Sequence, residues 1–185
     1  MTTTEQYVIM LSRKKIVLLL LGAAAFVAVS AWMFTLDDAT IRREMRRSPV
    51  FVRGVGVVGM AFFGLCGVFA VKKLFDKKPG LVLNSSGIID NSSAVAAGFI
   101  PWSEILGVEV FEMFRQKILV IKVTRPEAYV ERGSRARQAA NRANYRLCGS
   151  PIVITSNTLT IAFPELIAVF HRYHEKFGPV MKASV

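Results

Sequence analysis

Ile16–Leu36 reads IVLLLLGAAAFVAVSAWMFTL, 21 residues without a charge. At 1.5 Å per residue a helix of this length covers roughly 30 Å, the hydrocarbon thickness of a bilayer. Arg13, Lys14 and Lys15 precede it, and Trp32 stands near its far end, where an interfacial aromatic belongs. The competing reading is a cleaved signal peptide. Its apolar core would run only about 7–15 residues, and Trp32, Met33 and Phe34 do not make a small-residue cleavage site. The stretch reads as a retained transmembrane helix.

A second apolar run, Val50–Val71, carries Arg53 as its only charge and ends at Lys72 and Lys73. Arg53 lies within a turn of the start, so its stem can stay among apolar groups while the guanidinium reaches the headgroups. The intervening segment holds DDATIRREMRRS and is too short for a domain. The expected organisation is an N-terminal cytoplasmic segment (1–15), a first span (16–36), a short non-cytoplasmic loop (37–49), a second span (50–71) and a cytoplasmic domain (72–185). Orientation follows from basic residues near the span ends. Arg13, Lys14, Lys15, Lys72, Lys73, Lys77 and Lys78 outnumber Arg42, Arg43, Arg46, Arg47 and Arg53, which places both termini in the cytoplasm.

The 185 residues are 52% apolar, with mean hydropathy +0.41 and net charge +11. From Lys72 onward, 16 Lys/Arg against 9 Asp/Glu leave +7. In a soluble chain such an excess suggests nucleic acid. Beside two membrane spans the anionic lipid surface is the nearer polyanion, so no nucleic-acid partner is expected. Cys66 lies in an apolar run and Cys148 in the polar part, so no disulfide is expected, in keeping with a reducing compartment.

Gly54-Val55-Gly56-Val57-Val58-Gly59 fits the dinucleotide-binding spacing G-x-G-x-x-G. That site needs a strand, a tight turn and a helix N-terminus, whereas these glycines sit inside a membrane-length apolar run. They serve better as a helix-packing face. Gly56, Gly59, Gly64 and Gly67 fall on one side of the second span, and Ala24, Ala28 and Ala31 form a small face on the first. Small residues let helix backbones approach in lipid, either within the hairpin or between two copies as a homo-oligomer.

Behind Pro79-Gly80 the texture changes to short β-prone runs: Leu81–Asn84, Gly87–Asp90, Phe99–Trp102, Leu106–Phe111 and Lys117–Val123. KILVIKV is apolar on both faces and reads as a central strand. Pro151–Thr155 and Thr158–Phe163 flank Ser156-Asn157, a hairpin signal. A closing helix begins at Pro164 and carries Leu166, Phe170, Tyr173 and Phe177 as a core stripe. An inserted helix over 126–147 is interrupted near Gly133 and Ser134. Tyr129, Ala136, Ala140, Ala143 and Leu147 lie on one side of it, and Arg132, Arg135, Arg142 and Arg146 form a basic face beside them. Tyr7–Leu11 is β-prone and is expected to add a strand to the domain's sheet.

Short antiparallel strands closed by an amphipathic helix follow the order of a pleckstrin-homology-like (PH-like) barrel. The stretch KKLFDKKPGLVLNSSGIIDNSSAVAAGFIPWSEILGVEV (residues 72–110) resembles an uncharacterised family of bacterial two-helix inner-membrane proteins with a C-terminal bacterial PH-like domain. Its most specific pieces are Lys77–Leu81, Gly87–Ser93 and Gly98–Ile105. Weaker similarity at Leu11–Lys15 and Cys148–Ile152 extends it over most of the chain. The resemblance implies an α+β membrane protein: a two-helix hairpin and a PH-like antiparallel barrel or sheet with a C-terminal helix, of which the inserted basic helix is the least family-like part. It implies location in the bacterial inner membrane and assigns no activity.

No catalytic constellation assembles from the residues. His171 and His174, Glu109 and Glu112, and Asp37 and Asp38 lack the partners that a metal centre or an acid–base pair requires. No cofactor or metal is expected, and the chain does not read as an enzyme. The expected function is a noncatalytic membrane-anchored module in which Arg132, Arg135, Arg142 and Arg146 meet anionic lipid headgroups or a protein partner. The alternative is an inner-membrane immunity protein neutralising a membrane-acting antibacterial toxin.

Overall fold

The structure, a computed structural model, describes residues 5–113 and 115–179. The chain divides into two units. One runs from Arg13 to Asp76; the other joins the residues up to Ser12 with the chain from Lys77 onward.

The helical unit consists of α1 (Arg13–Trp32), a one-turn α2 (Asp38–Thr40), a π-helical turn (Ile41–Met45) and α3 (Pro49–Leu74). Asp37 caps α2, its carboxylate accepting from the Thr40 amide and hydroxyl, both at 2.8 Å. Those bonds hold the Asp37 carboxyl below the usual carboxylate range. Asp38 takes the Arg53 guanidinium at 2.7 Å. Ser48 caps α3 by accepting from the Phe51 amide, and Pro49 fills the first turn, where no amide is needed. Both α1 and α3 are long and apolar enough to cross a bilayer. Only 17% and 11% of the most apolar stretch of each is buried, whereas the core helix of a soluble protein would be mostly covered.

Ile16, Ala23 and Ser30 are buried at seven-residue intervals on α1, with Leu20 and Val27 half-buried between them. This is the 3–4 alternation of a two-helix seam. Phe26 stacks on Phe63 of α3 at 4.2 Å. On α3, a Cβ at Gly59 would lie 2.5 Å from Ser30 Oγ, and one at Gly56 would lie 2.9 Å from the Phe34 ring. Gly67 faces Leu20 at 3.8 Å, whereas a Cβ at Gly64 would meet nothing.

The small face expected on α1 is displaced. Ala24, Ala28 and Ala31 are exposed, and the seam runs through Ala23 and Ser30 instead. Gly22, Ala23, Ala24 and Ala25 put small residues on every side of the helix, so size alone does not choose. The buried Ser30, with its hydroxyl set against Gly59, marks the side that does pack.

The second unit carries a four-stranded antiparallel sheet, β1 (Tyr7–Ile9), β2 (Leu81–Leu83), β3 (Gly87–Asp90) and β4 (Gly98–Pro101), hydrogen-bonded in that order. A second sheet follows: β5 (Ile105–Met113), β6 (Gln116–Val123) and β7 (Ile152–Ile154), with β6 central. Between β6 and β7 stand α4 (Pro126–Val130) and α5 (Arg135–Cys148), and α6 (Phe163–Phe177) closes the fold. Strand alternation fills the core with Leu81, Leu83, Ile88, Ile100, Leu119, Ile121, Ile152 and Ile154. α6 adds Leu166, Val169, Phe170 and Tyr173, with Trp102 edge-on to Phe170 at 5.6 Å. A Cβ at Gly87 would fall 2.2 Å from the Ile100 carbonyl oxygen, so only glycine fits where β3 meets β4. Asp90, 4% exposed, organises the next turn by accepting from the Ser92 amide and hydroxyl and from the Ala97 amide.

Two expectations change here. The strands form two sheets and not a closed barrel. Residues 158–163 also do not form a hairpin with β7. Thr158 O accepts from the Ser12 amide at 2.7 Å, the Thr160 amide donates to Met10 O at 3.0 Å, and Leu11 bridges Leu159. The segment pairs with the N-terminal arm, because Leu159, fully buried against Leu11 and Gly80, finds its cover there. Tyr7–Ile9 adds a strand as expected. Its attachment extends to α6 through Tyr7 Oη to Glu165, Glu5 to Lys176, and the Arg172 guanidinium over the Tyr7 ring at 5.7 Å.

Leu159→Ala therefore removes the plug beneath two segments at once. A loss of about 2–5 kcal/mol is expected for a buried leucine truncated to alanine. Hydrogen exchange on the full chain should show the Ser12 and Thr160 amides, which bond across this bridge, losing protection before those of β6.

Candidate functional site

α5 forms from RARQAANRANYRLC, rich in alanine and straight-chain residues with high helix propensity. Ser134 caps its start by accepting from the Arg137 amide, and Gly149 ends it at φ 69°, returning its amide to Tyr145 O at 2.9 Å. Lys122 Nζ donates to Cys148 O at 3.2 Å and pairs with Glu109 at 3.2 Å, placing a cation at the helix C-terminus. Gly133, at φ 84°, makes the turn that separates α4 from α5.

Most of the apolar side of α5 read from the sequence is exposed. Ala136, Ala143 and Leu147 are exposed, and Asn141 is the buried residue, with Arg137, Gln138, Ala140, Asn144 and Cys148 half-buried around it. Asn141 Nδ2 donates to Tyr129 O at 3.1 Å, and Gln138 Nε2 donates to Glu131 O and Gly133 O. The helix is held by side-chain amides that reach backbone carbonyls. An apolar stripe could not make those bonds.

The four arginines divide. Arg135, Arg142 and Arg146 are exposed side by side on the outer face of α5, around Ala139. At 100° per residue Tyr145 and Leu147 flank Arg146 on either side, and they are 36% and 64% exposed. No Asp or Glu occurs from Arg132 to Pro164. Arg132 does not join that face. Its guanidinium lies 3.8 Å from the Tyr129 ring centre, and Nη1 donates to Ala97 O at 3.0 Å and Phe99 O at 3.1 Å. One arginine thus satisfies the carbonyl of Ala97, just before β4, and that of Phe99 within it, at the last strand in its sheet.

Arg132 belongs to a network that the sequence pattern did not disclose. Tyr129 Oη donates to Glu104 Oε2 at 2.8 Å, and Arg125 Nη2 donates to Glu104 Oε1 at 2.9 Å. The Tyr129 hydrogen bond, then Arg125, hold the Glu104 carboxyl below its ordinary value. Burial, then the Glu104 carboxylate, push the Tyr129 phenol up to about 12. Both shifts describe one state: an ionised Glu104 accepting from a protonated Tyr129. Tyr129 was legible as a core residue, but nothing in the spacing marked Glu104 as its partner.

The other sites read from sequence do not assemble. His174 lies 5.8 Å from Phe170 and 5.9 Å from Trp102, ring centre to ring centre, and no cluster of metal-ligating side chains exists among the described residues. The glycines of the G-x-G-x-x-G stretch lie inside α3, so no strand–turn–helix surrounds them. Cys66 and Cys148 are free thiols. Comparisons with protein-family models, with curated proteins and with solved structures found no match to this chain.

The Glu104 network fixes a pH dependence. A folded-state pKa below 4.5 stabilises the fold above about pH 4.5, and that stability is lost as pH falls through the lowered value. Glu104→Gln is expected to lower the melting temperature at pH 7 and to flatten the decline between pH 5 and about pH 3. Thermal unfolding of the detergent-solubilised full chain across that range would check it. Tyr129 supplies the alkaline counterpart, with stability lost as pH rises from 10 toward about 12.

Proposed function

We propose that the chain is a noncatalytic, membrane-anchored binding module whose α5 arginines rest on anionic lipid headgroups. In this reading α1 and α3 cross the bacterial inner membrane as a hairpin. The sheet-bearing unit is a PH-like domain on the cytoplasmic side, together with both termini. The observation that carries the binding role is the exposed Arg135, Arg142 and Arg146 face, within a stretch that contains no acidic residue.

Each part has its physical support. The largely uncovered apolar surfaces of α1 and α3 fit lipid as their solvent. The order of a four-stranded sheet, a three-stranded sheet and a closing helix agrees with a PH-like domain. Three arginines near an anionic surface are worth about 3 kcal/mol at roughly 1 kcal/mol each, a term that salt screens. Leu147 and Tyr145, exposed at the edges of the basic face, suit the boundary between headgroups and acyl chains.

A spin label at Ala139→Cys, with Cys66 and Cys148 replaced by serine, reports on the centre of that face. The full chain would be placed in nanodiscs of phosphatidylcholine alone or of phosphatidylcholine with phosphatidylglycerol. The label is expected to become shielded from a water-soluble relaxing agent only in the anionic discs. Replacing Arg135, Arg142 and Arg146 by Gln should abolish the shielding. Equal accessibility in both discs would refute the lipid role.

A further inference from the structure

α3 carries an open groove of about 530 Å³ on one flank, lined by Phe51, Gly54, Val55, Val58, Phe62 and Phe63 among others. The two ends differ. At the deep end Phe63 is locked by its 4.2 Å stack on Phe26 of α1. At the mouth the Arg47 guanidinium lies over the Phe51 ring, 5.8 Å from its centre. Arg42, Arg43 and Arg46 belong to the same connecting segment, and among the described residues none of these four arginines has a carboxylate within ion-pair distance. Arg53, by contrast, is already paired with Asp38.

Phe51 to Phe63 is twelve residues of helix, about 18 Å at 1.5 Å per residue. One leaflet of a bilayer is roughly 15 Å of hydrocarbon. The groove is therefore as long as one acyl chain is deep, with cations where the phosphate of that lipid would lie. We infer that α3 holds one anionic phospholipid, its acyl chain between Phe51 and Phe63 and its phosphate on Arg47. This rests on the membrane-spanning reading.

A second copy of the chain fits the same groove less well. Two copies inserted with the same topology and related by a twofold axis along the membrane normal meet at equal depth. Their Arg47 residues, and the Arg42–Arg46 segments with them, would then face one another at the headgroup level. Like charges brought together there repel, whereas an anionic headgroup set among them attracts.

The glycine floor makes the site testable without disturbing the fold. A Cβ at Gly54 meets no atom within 4 Å, so the side chain of Gly54→Leu starts in open space and extends into the groove. Gly64 is equally open but does not line the groove, so Gly64→Leu is the control. Native mass spectrometry of the full chain from mild detergent would follow retention of added phosphatidylglycerol against phosphatidylcholine.

The expected result is one retained phosphatidylglycerol in the wild type and in Gly64→Leu, with at least a tenfold loss in Gly54→Leu. Arg47→Gln should erase the preference for phosphatidylglycerol while a lipid is still retained. Undiminished binding by Gly54→Leu, or equal retention of both lipids by the wild type, would overturn the site. A Gly54→Leu variant that loses a dimer with its lipid unchanged would assign the groove to a second copy. Alkaline carbonate extraction of native membranes separates the two premises. A chain released by carbonate defeats the spanning reading and the lipid site with it, whereas a chain retained there leaves Gly54→Leu as a test of the groove alone.

Discussion

The antiparallel pairing of Tyr7–Ile9 with Leu81–Leu83 is the constraint on which the rest of this structure turns. The chain leaves one folded unit after Ser12, makes the helical pair, and re-enters the same unit at Lys77. Residues on either side of α1 and α3 therefore share one sheet. The Leu11–Leu159 bridge and the contacts of Tyr7 with Glu165 and Arg172 tie the arm to both ends of the C-terminal segment as well. A strand of three residues gains little by itself. Its stability comes from burying Ile9 and Leu11 where Leu159 and Gly80 already need cover.

Much of this architecture was legible because the signals were long. The two apolar runs are long and almost without charge, and the alternation of KILVIKV and the 3–4 spacing in the Pro-initiated last helix repeat over several residues; signals of that length survive tertiary context. What was not legible depended on a choice among equivalents. Residues 158–163 have strand character and follow a turn signal, but a hairpin partner and the N-terminal arm offer the same backbone bonds. The choice fell to the burial of Leu159, which local sequence does not encode. On α1 small residues surround the helix, and the hydroxyl of Ser30 discriminates where residue size does not.

The candidate site was half legible for a similar reason. Counting arginines on a helical projection finds Arg135, Arg142 and Arg146, because α5 is regular there. Arg132 precedes the Gly133 turn, where the projection no longer applies, and it turns back onto Tyr129 and the carbonyls of Ala97 and Phe99. Its planar guanidinium suits that place: one face stacks on the ring while the edge serves two acceptors. Ala136 and Ala143 stay exposed, and Asn141 goes inward because its Nδ2 reaches the Tyr129 carbonyl, a bond no alanine can make.

These assignments resolve the net charge of +11 into groups with different work. Arg125 and Arg132 are spent inside the domain, holding Glu104 and β4, and Arg53 is held by Asp38. Besides Arg13, Arg115, Arg137 and Arg172, the remaining arginines lie in two places in the sequence, residues 42–47 before α3 and the outer face of α5. Spread evenly, such an excess would serve solubility and little else. Gathered beside an apolar groove and on one helix face with exposed Tyr145 and Leu147, it pairs charge with hydrocarbon. The lipid proposals rest on that pairing, which a bare polyanion such as nucleic acid would not use.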